Sequence, residues 1–166
     1  TIFGNSVYLV GDKIYNLGPV IAQNGLIVMA AGDEVRLYQD GSDVSVVSGP
    51  GNEVDVPDIR TSNNVVATNG KIVLAAGDVF SRAIRNTGII RANGGTVTVQ
   101  AARVENYGEI IASAPTTSSG DGGSITLTGT EEVIIGPDKL NHTGMVSANA
   151  GVNGTGGTIT IESEGT

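Results

Sequence analysis

The sequence predicts an all-β protein built as a solenoid of stacked coils, the architecture of a parallel β-helix. Three observations support this fold class: a short motif recurs along most of the chain, large aromatic residues are scarce, and helical periodicity is lacking. The most complete copy of the motif is NTGIIRANGGTVTV, at residues 86–99. A unit of this length cannot bury its apolar face alone, so it must stack on its neighbours.

The first half of the motif reads Asn-x-Gly-x-Val/Ile-x-Ala. Copies begin at residues 16, 86 and 106, and a variant begins at His142. A hidden copy begins near residue 61, because residues 20–33 align without a gap on residues 65–78. Side chains at repeated turn positions bond readily to nearby backbone, so these copies predict a structural ladder rather than a glycan or metal site. The ladder comprises Asn16, Asn86 and Asn106, with Gly18, Gly88, Gly108 and Gly144 two residues further on.

The second half of the motif, Gly-x-Val/Ile-x-aliphatic, alternates as a β-strand with one buried face does. With a rise of about 4.8 Å per coil, roughly five to six coils would form a rod on the order of 25–30 Å long. The residues between the apolar ones, such as Thr98 and Thr126, are expected to face solvent. The predicted inward columns are Val20, Ile90, Ile110 and Val146; Ile27, Ile72, Val97, Ile125 and Ile159; and Met29, Leu74, Val99, Leu127 and Ile161.

Composition supports narrow coils over a globular enzyme core. The chain has no Trp, two Phe and four Tyr, but 25 Gly. No window of a dozen residues keeps a 3.6-residue period free of Gly or Pro, so almost no helix is expected. The net charge of −8 disfavours nucleic acid and anionic membranes as partners. The absence of Cys excludes disulfides and thiolate zinc sites.

We interpret residues 1–166 as one β-helix domain, expected to be a fragment of a longer chain because it starts without Met and stops in mid-pattern. No transmembrane run is visible, so membrane insertion is not expected. Residues 1–14 resemble the second half of a unit whose first half is missing. Residues 36–60 interrupt the repeat with two alternating segments around a Gly-containing connection, which predicts a β-hairpin excursion off the shaft. The Gly- and Ser-rich segments 114–121 and 149–156 are expected to be surface loops.

Few residues carry candidate chemistry. A Ser-based mechanism would need His142, the only histidine, as its base, and no Ser stands in a Gly-x-Ser-x-Gly context, so His142 is interpreted as a turn residue. Asp33 and Asp78 fall at equivalent positions and, with the excursion looped out, would lie about 5 Å apart. We interpret them as solvated turn carboxylates, with a weak Ca²⁺ site as the alternative. No catalytic residue, metal or other cofactor is predicted.

The repeat also resembles a known family. The segment SVYLVGDKIYNLG at residues 6–18, followed by Ala22 and by the LAAGD-like segments 29–33 and 74–78, is similar to the secretion-domain region of filamentous haemagglutinin-like exoproteins. The resemblance implies a right-handed parallel β-helix with extra-helical hairpins. It also implies two-partner secretion through an outer-membrane transporter, a location at the bacterial surface, and a role as adhesin or filament.

The leading hypothesis is a non-enzymatic, secreted, adhesin-type shaft that presents its loops to a host or cell-surface glycan or protein. A filament subunit that stacks through open ends is the first alternative. A carbohydrate-active β-helix enzyme is the second, with Tyr38, Tyr107 and Arg91 as sugar contacts. An ice-binding surface is disfavoured, because the outward Thr positions are not expected to form a regular two-row array.

Overall fold

The computed structural model describes residues 1–23, 25–32, 35–40, 43–48, 59–68, 70–76, 83–117, 119–137 and 143–164, with the backbone alone for strand residues 35–48 and for Ala83. Every regular element in these ranges is a β-strand, so the all-β prediction is confirmed. The strands form two parallel sheets and one antiparallel hairpin.

The first sheet is a stack of short parallel strands that contain the first half of each unit. Val65 pairs with Val20 on one side and Ile90 on the other, and Ile110 pairs with Ile90 and Val146, so one predicted inward column is confirmed. In spatial order the strands are β1 (Ile2–Gly4), β4 (Val20–Gln23), β9 (Val65–Thr68), β12 (Ile89–Arg91), β14 (Glu109–Ile111) and β16 (Met145–Ser147).

The second sheet contains the second halves of the units and is larger. Its path is β2 (Val7–Gly11), β5 (Leu26–Ala31), β10 (Lys71–Ala76), β13 (Thr96–Asn106), β11 (Ala83–Asn86), β8 (Ile59–Thr61) and β3 (Ile14–Asn16), and β15 (Ser124–Ile135) and β17 (Thr158–Ser163) follow β13. The start of β13 pairs with β10 and its end with β11, so this sheet turns back on itself and is nearly closed, like a barrel.

The core consists of the side chains that the strands turn inward. Ile72 pairs with Ile27 and Val97, and all three are fully buried, as the alternation predicts. Branched aliphatic side chains suit these positions because they pack well on a pleated surface. An alanine lies near the end of five of the first-half strands. All five are buried: Ala22, Ala67, Ala92, Ala112 and Ala148.

One prediction about strand boundaries is wrong. β1 pairs in register with the start of β4, so residues 1–14 include a first-half strand that three residues of sequence were too short to reveal. β15 is also longer than the repeat implies, because it continues past a register shift opposite Ala101 and Arg103 and ends at Ile135.

The excursion contains the predicted hairpin. β6 (Val35–Asp40) and β7 (Asp43–Ser48) pair antiparallel, from Val35 with Ser48 to Asp40 with Asp43. β7 runs against β5 and β10, so the hairpin lies along the stack and does not stand off it. Residues 49–58 of the excursion lie outside the described residues.

Candidate functional site

A ladder of buried polar side chains crosses the second sheet where its strands end. Thr61 Oγ1 donates to Asn86 Oδ1 at 2.7 Å, and Asn86 Nδ2 donates to Asn106 Oδ1 at 2.8 Å. Asn106 Nδ2 then reaches the carbonyl oxygen of Met145 at 3.0 Å. None of the three ladder side chains is more than 2% exposed. The ladder therefore joins successive strands through hydrogen bonds that water does not reach.

The two ends of the ladder differ from its middle. Thr61 lies between Asn16 and Asn86, and Asn16 Nδ2 is buried without a hydrogen-bond partner among the described residues. Beyond Asn106 the paired residue is Ile135. His142, where the variant repeat begins, lies outside the described residues. The alignment of residues 20–33 on 65–78 puts Thr61 at the position of Asn16, but its residue type did not indicate a ladder role, because Thr is common at outward strand positions.

Backbone contact explains the glycine column beside the ladder. A Cβ on Gly108 would lie 2.1 Å from the Gly88 oxygen, and one on Gly88 would lie 2.5 Å from the Asn63 oxygen. Gly144 has a φ of +58°, a left-handed conformation that favours glycine. Gly18 differs, since the nearest atom to an added Cβ is 3.8 Å away. Close approach of successive turns therefore requires glycine in the middle of the stack.

A groove of about 290 Å³ opens over this column, and we call it the corner groove. Gly88 and Gly108 are part of its lining, and strand pairing sets Ile89 beside Glu109. The full lining is Thr87, Gly88, Ile89, Tyr107, Gly108, Glu109 and Thr143. Arg91, predicted with Tyr107 as a sugar contact, lies two residues beyond Ile89 and does not line the groove.

The outer face of the second sheet is apolar beneath the hairpin. Val28 and Ala30 alternate with inward residues of β5, yet both are fully buried, and Val73 of β10 is 5% exposed. β7 runs against these two strands. Val28, Ala30 and Val73 therefore form a second, smaller hydrophobic cluster outside the main core, on the two strands that β7 contacts.

Beyond the hairpin, the same outer face carries hydroxyl side chains in register. Thr98 pairs with Val73 on one side and Thr126 on the other, and Thr126 pairs with Thr160. A parallel row runs through Thr96, Ser124 and Thr158. The two rows end at β10, where the equivalent positions are Val73 and Lys71, so the outward positions of the whole sheet do not form a regular two-row Thr array.

A network of charges surrounds Glu105 on β13. Its carboxylate pairs with Arg85 Nε and, at 3.0 Å, with Arg103 Nε, which also reaches Glu132 at 3.2 Å. The side chain of Glu105 is only 3% exposed, whereas that of Glu132 is 50% exposed. Sequence reasoning missed this network because a Glu that alternates with buried residues reads as a solvated outward residue.

The two predicted surface loops lie against each other. Gly122 N donates to the Thr155 oxygen at 2.9 Å, and Gly151 N donates to the Gly120 oxygen at 2.9 Å. Asp121 Oδ1 accepts from Thr155 N at 2.7 Å. Segments 114–121 and 149–156 thus stack as successive turns.

Several predicted site residues cannot be placed. Asp33 and Asp78 lie outside the described residues, and of Tyr38 only the backbone is described. Within the described ranges, no three His, Asp or Glu side chains come together as a metal site would require. The described residues also include no helix with the length and apolar character needed to cross a bilayer.

No protein-family model, curated protein sequence or solved structure matches this chain.

Proposed function

We propose that the chain is a right-handed parallel β-helix and forms a segment of the stiff shaft of a secreted bacterial surface exoprotein, of the filamentous haemagglutinin-like kind. The proposal is rooted in one observation above all: six strands of the first sheet pair in parallel from β1 to β16, although the intervening connections differ widely in length. The insertions therefore lie in the connections between these strands, and the column of paired strands continues past them. Such a column spans about 24 Å, with one strand every 4.8 Å.

A shaft of this kind works by mechanics and not by catalysis. Each strand is hydrogen-bonded to the strands of neighbouring units. A force along the stack therefore acts on all the backbone hydrogen bonds between two neighbouring units together. Its partners would be an outer-membrane transporter during secretion and a host or cell-surface glycan or protein afterwards. The surfaces available to such a partner include the hairpin, the paired loops and the corner groove.

The test is adhesion, with the fold checked by circular dichroism. Beads coated with the purified chain should bind members of a panel of immobilised cell-surface glycans and matrix proteins. Replacing residues 36–58 with a short Gly-Ser linker keeps β8 intact, so it should leave the β-strand spectrum unchanged and alter the bound set. Binding to no member of the panel, or release of reducing ends from a polysaccharide substrate, would contradict a non-catalytic adhesive shaft.

One observation favours the filament alternative. Ile159 and Ile161 continue inward columns whose neighbours Ile125 and Leu127 are fully buried, yet they are 42% and 49% exposed. A further parallel strand on β17 would bury them, whether a second copy or more of the same chain supplied it. Sizing at several concentrations, with electron microscopy, separates the cases: fibres with a coil-scale repeat support stacking between copies, and a concentration-independent monomer contradicts it.

A further inference from the structure

We propose that the corner groove binds a neutral, hydroxyl-rich sugar ring. This inference deepens the proposed function and rests on it in one respect, since only a surface shaft would present the groove to a glycan. The groove lies at the middle of the stack, where the glycine column and the polar ladder run side by side.

The shape of the groove suits a small ring. Its volume of about 290 Å³ is near the lower limit of ligand sites, roughly 300 Å³. Gly88 and Gly108 contribute no side chains to its lining. Both glycines are also anchored: Gly88 N donates to Asn86 Oδ1 at 3.1 Å, and Gly108 N donates to the Asn86 backbone oxygen at 3.0 Å. A site held in this way loses little freedom when a ligand enters.

The lining offers the mixture of contacts that a sugar ring uses. The Thr143 hydroxyl can donate and accept, the Thr87 hydroxyl, which donates to the Thr61 oxygen at 3.3 Å, can still accept, and the Glu109 carboxylate accepts strongly. The ring of Tyr107 and the side chain of Ile89 add apolar surface for the C–H face of the sugar. Sugar hydroxyls both donate and accept, so they match this set better than a ligand that only donates.

The charge of the groove limits the class of ligand further. Glu109 is the one side chain in the lining that is charged at neutral pH, and the whole chain has a net charge of −8. The Glu109 carboxylate and the negative net charge of the chain both repel sulfated and uronic sugars. A cation would gain only one partly exposed ion pair, which contributes little. A neutral sugar keeps its hydrogen bonds without either penalty.

The test is an NMR titration of the labelled chain with cellobiose, maltose and lactose, and with methylguanidinium and glucuronic acid as charged probes. At least one neutral disaccharide should shift the amide signals of residues 87–89 and 107–109, with a dissociation constant on the order of millimolar. E109A should weaken binding about tenfold, which corresponds to the loss of one hydrogen bond to a charged acceptor. E131A, which removes an exposed carboxylate from β15, is the matched control and should bind as the parent does.

Three outcomes would overturn the proposal: no shift with any neutral disaccharide, tighter binding of methylguanidinium at the same signals, or equal affinities for E109A and the parent chain. Bead adhesion of the same samples keeps the two hypotheses apart. A chain that adheres but shows no sugar binding at residues 87–89 and 107–109 rejects the corner groove and leaves the shaft, whereas a chain that adheres to no glycan or matrix protein rejects the adhesive shaft. Y107A and T87V provide independent groove variants if E109A alters the fold.

Discussion

Asn86 and Asn106 are twenty residues apart in sequence, and their side-chain amides form a 2.8 Å hydrogen bond inside the stack. Each amide also reaches the backbone of the next turn, Asn86 at Glu109 and Asn106 at Met145. Amides suit this place because they donate and accept at once, so a chain of them satisfies itself without water. The amide side chains at these ladder positions therefore depend on the spacing between successive turns, because they must reach one another to form the hydrogen bond.

Replacing Asn106 with Ala should destabilise the chain by about 2–4 kcal/mol, because the Asn86 amide and the Met145 carbonyl both lose a buried partner. Urea denaturation followed by circular dichroism measures the change. N5A is the control, since Asn5 is exposed, and should shift stability by less than about 0.5 kcal/mol. Equal stability of N106A and N5A would show that the ladder contributes nothing.

Gly108→Ala should destabilise the stack by about 3 kcal/mol, since its Cβ would lie 2.1 Å from the Gly88 oxygen and backbone must move. Gly136→Ala is the matched control, because nothing lies within 4 Å of its added Cβ. The thermal midpoints of the two variants should separate by roughly 6–12 °C. A tolerated G108A would mean that the turns are further apart than the structure places them.

The sequence carried enough information for the inward face and too little for the outer one. Alternation of apolar residues placed Ile72 between Ile27 and Val97, because a register slip of one residue would expose the whole set. Burial on the outer face depends on what lies over it. Val28 under the hairpin and Glu105 within its ion pairs therefore escaped prediction, and both follow only from three-dimensional contacts.

The polar ladder illustrates the same limit. The repeated Asn residues predicted a ladder, and the hidden copy put Thr61 at the equivalent position, but a Thr there did not indicate that its hydroxyl would bond to Asn86. Nor could the repeat show that Ile135 would follow Asn106, because β15 runs longer than the repeat implies. Local patterns identify repeated units, whereas the pairing partner at an irregular unit is decided by how insertions fit around the stack.

Val28→Asp should release the hairpin, because it places a carboxylate in an apolar contact without a partner. Trypsin cleavage after Arg36, which lies in β6, should become at least several-fold faster. T98D is the control: Thr98 is on the same outer face and in the same register column, but it is itself partly exposed and pairs with Thr126 on the side away from Val73. If V28D and T98D are cleaved at the same rate, the hairpin does not depend on this cluster.

Glu105→Gln and Glu132→Gln remove two carboxylates that share Arg103 but differ in exposure, 3% against 50%. E105Q should lower the free energy of unfolding by about 1–2 kcal/mol. This is less than the effect of breaking a fully buried ion pair, because both arginines are partly exposed. E132Q should change stability by less than about 0.5 kcal/mol. The E105Q effect should also persist in 0.5 M salt (an ionic strength with a Debye length of about 4 Å), since Glu105 is shielded from solvent. Equal effects of the two substitutions, or loss of the E105Q effect in salt, would show that Glu105 behaves as an ordinary surface charge.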